Sequence, residues 1–151
     1  MQTETGREQW NKAVSSDRKM SFEISEGVGY VDGKLANGEV KREFSKDAST
    51  GKRYLSKDEV QEIIVYAGTI ENHPDARYSD LTLRQAIGAV AGHEIEHATN
   101  ETNIKEKAIN TQYNEMIHNI ETVPNEVSKK IAQESRETNI NKIPIRPATI
   151  H

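Results

Sequence analysis

The sequence contains no cysteine in its 151 residues. That absence excludes disulfides, cysteine-ligated zinc modules, iron–sulfur clusters and thiol catalysis, so any metal must be held by His, Asp and Glu. Aromatic residues are scarce at 5%, and 34% hydrophobic content against 29% charged leaves a lean core that Ile, Val, Leu and Ala must fill. A core of that size serves one domain, and a single domain over 1–151 is expected. Charge of one sign is lacking as well. The net charge of −4 offers no general attraction for nucleic acid or for an anionic membrane surface. No apolar run approaches the roughly 20 residues that cross a bilayer, and residues 1–20 lack the apolar stretch of a signal peptide. The expectation is a soluble chain with neither nucleic-acid nor membrane partners, whose localisation stays open, since export as a domain of a larger delivered protein is compatible with it.

What is present reads as α+β. Thr5 to Ser16 places Trp10 beside Ala13 and Val14 at helical spacing, predicting a short amphipathic helix that pins the N-terminus. Met20, Phe22 and Ile24 then alternate with polar residues, as do Val40, Arg42 and Phe44, and Asp32-Gly33 and Asn37-Gly38 are hairpin-turn dipeptides. A small antiparallel or mixed sheet follows. Ile63 to Tyr66 is the densest β-prone run and predicts a strand ending near Gly68, followed by a surface loop over Glu71 to Ser79. Ser79 or Asp80 is the expected cap of a largely buried helix from Leu81 to Thr99, within which Gly88 and Gly92 imply close approach by another backbone. A second helix is expected from Ile104 to Ile120, with a kink or a fresh helix start at Pro124, and an extended tail over 139–151.

The chemistry lies in His93-Glu94-Ile95-Glu96-His97, an HExxH motif inside the strongest helix candidate. Residues four apart on a helix lie one above the other, so both imidazoles project from one face and can bind one Zn²⁺. Glu94 is rotated about 100° from His93 and can reach a water at the open coordination position, where it would act as general base. The bland alternative is a solvated polar helix end. It sits poorly with the apolar turns at Ile87, Val90 and Ala91 that lead into the motif.

A catalytic zinc needs a third protein ligand. The residues after His97 are ATNETNI, so the HExxHxxGxxH continuation is absent. Downstream candidates are Glu101, Glu106, Glu115, His118, Glu121 and Glu126, of which Glu101 and Glu106 lie too close to the end of the first helix to fold back. Helix phase favours Glu121, with Glu115 and His118 as the alternatives. His73, Tyr66, Tyr78, Tyr113 and His118 are candidates to stabilise an oxyanion.

A strand over Glu62 to Tyr66, a helix carrying GHEIEHA and a second helix with a downstream Glu resemble a minimal zincin metallopeptidase of the gluzincin type, over about Val60 to Glu134. The resemblance implies a catalytic core in that span, with His93, His97 and a downstream Glu as zinc ligands and Glu94 as general base. It also implies substrate pairing along Ile63 to Tyr66 or Ala67 to Ile70, and hence a zinc endopeptidase acting on protein or peptide. Small domains of this kind also resemble the C-terminal toxin or effector domains of bacterial secreted proteins, which would bring a delivery or immunity protein as partner. An ExxxD continuation is missing: Asn125 stands four residues after Glu121, where it could support a histidine ligand. The competing readings are a binding or structural module whose HEIEH is a closed metal site or polar cap, and a zinc hydrolase of non-peptide bonds.

Overall fold

The computed structural model describes residues 3–142. Helix α1 (Glu4–Ser15) leads to strands β1 (Met20–Ser25), β2 (Gly29–Val31), β3 (Lys34–Ala36), β4 (Gly38–Lys41), β5 (Ser45–Lys46), β6 (Arg53–Tyr54) and β7 (Gln61–Tyr66). Helices α2 (Ala67–Asn72), α3 (Leu83–Thr99), α4 (Glu101–Tyr113) and α5 (Thr122–Lys142) follow, with a 3-10 turn at Ala76–Tyr78. The fold is α+β. Among the described residues no helix is long and apolar enough to cross a membrane.

The main sheet is mixed, in the order β1-β7-β4, with β1 parallel and β4 antiparallel to β7. The densest β-prone run is therefore the central strand. Ile63 and Val65 are fully buried, and each contributes about 1.5–3 kcal/mol of burial free energy. Central placement corrects the expectation that Ile63 to Tyr66 pairs with substrate, because both of its edges are occupied. Ala67 to Ile70 is corrected too: it is the first turn of α2, not strand. Asp32-Gly33 does form the β2–β3 turn, with both residues at positive φ (51° and 75°) as a two-residue hairpin turn requires. Asn37-Gly38 does not turn a hairpin. Gly38 opens β4, and a Cβ there would lie 2.9 Å from Val90 and 3.0 Å from Glu94.

Helix α3 runs through the middle of the molecule, against β7 and β4 and against α1 and α5. Its cap is Thr82, whose hydroxyl accepts from the Gln85 N–H while the Gln85 side chain accepts from the Thr82 N–H. Ser79 and Asp80 are engaged elsewhere, Ser79 closing the 3-10 turn and Asp80 accepting from Arg136 at 2.7 Å. Gly92 meets a side chain rather than a backbone: a Cβ there would lie 2.3 Å from Ile131 Cδ1 on α5.

Helix α1 docks through polar groups. Trp10 and Val14 are exposed, whereas Gln9 is buried and donates to Gly92 O at 3.1 Å and to Glu96 at 3.0 Å. Glu96, 3% exposed, also accepts from Lys12 at 2.9 Å, so the second glutamate of HEIEH is a structural anchor facing away from the two histidines.

The helix expected from Ile104 to Ile120 is one helix, α4, followed by a loop. α4 ends at Tyr113, Asn114 turns left-handed (φ 48°), and residues 114–121 return toward α3. Asn110 clamps that return, accepting from His118 N and donating to His118 O, both at 2.9 Å. Met116 and Ile117 are accordingly exposed. Pro124 sits in the first turn of α5, where its missing N–H leaves no helical bond unmade, so the fresh start is what occurs. α5 runs on through 139–142, where extended chain was expected; the rest of that expected tail, 143–151, lies outside the described residues.

Candidate metal centre and cleft

His93 and His97 project from one face of α3, as their spacing requires, with ring centroids 4.9 Å apart and Nε2 atoms 3.2 Å apart. Glu121 stands in front of both. Its carboxylate lies 2.9 Å from His93 Nε2 and 3.2 Å from His97 Nε2. These three residues form the group of ligating side chains that can hold a metal ion. Glu121 reaches them from the residue just before α5, where its N–H donates to the Asn119 side chain and its carbonyl accepts from Asn125 N.

The other third-ligand candidates are elsewhere. Glu101 is paired with Arg18 at 2.7 Å, and His118 Nδ1 lies 3.6 Å from Glu106. Glu115, in the return loop, and Glu126, on α5, are exposed.

Asn103 sets the tautomer of His97. Its amide nitrogen donates to Ile120 O at 2.7 Å, which directs its Oδ1 at His97 Nδ1, 2.9 Å away. His97 Nδ1 must then carry the hydrogen, and a neutral ring presents a bare Nε2 lone pair. That lone pair faces a second imidazole nitrogen and a carboxylate. Acceptors converging at 2.9–3.3 Å repel unless a cation or proton lies among them, and two imidazoles with one carboxylate suit a divalent metal of borderline softness. The donor chemistry thus fits a metal. Burial disfavours charge on His97, but Glu121, Glu94 and Asn103 outweigh it and hold the ring above its ordinary pKa. Burial also opposes ionisation of Glu121, yet bonds from His93 and His97 hold its carboxyl far below the usual range.

Glu94 lies beside this group, its Oε1 3.8 Å from His93 Nε2. Burial pushes its carboxyl upward, against the pull of the two histidines. Arg42 stands behind it: half-buried, its pKa lowered to about 10 by desolvation, and donating to Gln61 Oε1 at 2.6 Å and His97 O at 2.9 Å. Gln61 in turn donates to Ala98 O at 2.8 Å. Together they tie the last turn of α3 to the sheet.

A polar cleft of about 420 Å³ opens in front of His93, Glu94 and Glu121. Its walls include Asn37 and Gly38 from the β4 side and Asp75, Arg77 and Tyr78 from the loop after α2. Arg77 is held by Asp75 at 2.7 Å, lies over the Tyr78 ring at 5.2 Å and reaches Asn125 at 3.4 Å. Asn125 therefore partners Arg77, not a histidine, and the supporting role expected of it belongs to Asn103. Of the oxyanion candidates, Tyr78 lines the cleft, Tyr66 is bonded to Glu39 at 2.5 Å, Tyr113 and His73 are exposed, and His118 is with Glu106. Arg42, Arg77 and Asn103 were not legible as site residues. Only the capping residue Asn100, which accepts from Asn103 N and starts α4, signals that the chain doubles back after His97.

The chain matches no protein-family model, no curated protein and no solved structure.

Proposed function

We propose that this domain is a zinc-dependent metallopeptidase, with His93, His97 and Glu121 as the metal ligands and Glu94 as the general base. The observation that carries the reading is the convergence of three acceptors, two imidazole nitrogens and a carboxylate, beside a buried fourth group in a cleft. Three protein ligands match a site that keeps a coordination position open for chemistry, whereas a closed structural site takes four. Zinc bound there supplies Lewis acidity to a water and to the scissile carbonyl.

The chain's own groups do the rest. Glu94, kept less acidic by burial, takes a proton from the attacking water and hands it to the leaving amine. Arg42, bonded to the carbonyl of His97, holds the ligand helix against the sheet. Arg77 brings a positive charge to the cleft wall, where negative charge on the carbonyl oxygen is favoured.

A peptide fits better than a small closed-pocket substrate because β4 is paired only on its β7 side and its Gly38 borders the cleft. An extended chain can add to such an edge. Purified protein is expected to carry one zinc per chain by elemental analysis and to cut peptides of a proteome-derived library. Glu94→Gln is expected to keep the zinc and lose the cleavage. Zinc-free protein, or cleavage untouched by Glu94→Gln, would overturn the proposal.

A further inference from the structure

The open edge of β4 does not end at the metal cleft. Tyr66 N donates to Asn37 O, which makes Asn37–Tyr66 a hydrogen-bonded pair, and alternation along an antiparallel ladder then turns the peptide groups of Gly38 and Val40 outward. Followed from Gly38 toward Arg42, about 13 Å of strand at 3.3 Å per residue, that edge runs into a second depression of about 410 Å³. Val40 and Arg42 line it together with Arg53 and Lys107.

This depression is cationic in an otherwise anionic protein. Arg42, Arg53 and Lys107 face it against a single carboxylate, that of Glu43. Arg42 is committed to Gln61 and His97. Among the described residues the Arg53 guanidinium donates to a neutral carbonyl oxygen, that of Phe44 at 3.3 Å, and neither Arg53 nor Lys107 is paired with a carboxylate. Two cations without acidic partners at the far end of an unpaired strand edge are complementary to one kind of occupant, an extended acidic segment.

We infer that Arg53 and Lys107 select substrates bearing an aspartate or glutamate two to four residues from the bond that is cut. This rests on the metallopeptidase reading and adds a substrate class to it. The bound segment pairs with the outward groups of Gly38 and Val40, which sets its register, and its acidic side chain reaches the two cations.

The test is a proteome-derived peptide library cut by wild-type protein and read by mass spectrometry, with Glu94→Gln as the blank. Acidic residues are expected about fivefold over background at one position two to four residues from the cut, the size of effect that two partly exposed charge pairs can produce. Lys107→Glu and, separately, Arg53→Glu are expected to remove that enrichment while leaving cuts in neutral peptides. Lys107→Gln, a milder change, is expected to weaken it. Cut sites without acidic enrichment, or enrichment untouched by both charge reversals, would overturn the inference. Its failure is separable from that of the enzymatic reading. If nothing is cut, the metallopeptidase proposal falls, and fluorescence anisotropy of Asp-containing against Asn-containing peptides on the Glu94→Gln protein decides the groove alone, equal affinities overturning it.

Discussion

Asn103 holds His97 by its Nδ1 at 2.9 Å and, through its own amide nitrogen, holds the carbonyl of Ile120, the residue before Glu121, at 2.7 Å. One side chain thereby orients a histidine of the candidate metal group on α3 and places the segment that delivers the Glu121 carboxylate. Removing it releases both. Asn103→Ala is expected to weaken metal binding by about 10- to 100-fold, the range seen when an outer partner of a ligating histidine is lost. Asn103→Asp keeps an acceptor at Nδ1 and is expected to lose less. Competition with a chromophoric chelator measures both.

Glu121 and Glu115 separate cleanly. Glu121→Gln replaces a charged ligand by a neutral amide and is expected to lower metal affinity more than Asn103→Ala does. Glu115→Gln changes an exposed loop carboxylate and is expected to leave affinity unchanged. Equal losses in the same chelator competition would show that the carboxylate at 121 is not a ligand.

Gly92 is where α5 presses onto α3. Gly92→Ala places a methyl 2.3 Å from Cδ1 of the buried Ile131 and is expected to destabilise by about 1–3 kcal/mol, despite the better helix propensity of Ala. Ile131→Val removes the clashing atom at a cost of about 0.5–1.5 kcal/mol by itself. The double variant should therefore be more stable than the sum of the two single changes. Urea denaturation of all four proteins measures that coupling.

Acid should destabilise the fold in a defined window. Hydrogen bonds from Arg77 hold Asp75 below the usual carboxylate range, and Arg18 does the same for Glu101. A depressed carboxylate contributes its stability above the unfolded pKa of about 4 and loses it as pH falls through the folded value. The stability owed to these two pairs should accordingly be constant above about pH 5 and decline from there toward about pH 3, as read from denaturation midpoints. Asp75→Asn should start lower at neutral pH and decline less steeply.

Local periodicity made much of this molecule legible. The i, i+4 placement of His93 and His97 needs only a helix, and α3 is a helix because its residues are apolar and well capped, so the histidine pair followed from spacing. The hairpin turn at Asp32-Gly33 and the fresh helix start at Pro124 are also local, set by backbone conformations those residues favour or forbid. The α+β class followed from the same patterns.

What depended on distant partners was not legible in that way. Met116 and Ile117 continue a helical apolar pattern, yet Asn110 clamps His118 into a returning loop and leaves them in solvent. Trp10 and Val14 looked like the buried face of α1, but its docking face is Gln9, matched to Glu96 eighty-seven residues away. β7 was readable as a strand and not as the central one, since strand order is a property of the assembled sheet. Spacing alone placed the histidine pair on one helix face, because helical geometry repeats every few residues. That Glu121 meets the pair, that Asn103 orients it and that β4 offers the open edge follow from the assembled fold, because each depends on where a loop or a sheet brings together residues far apart in the chain.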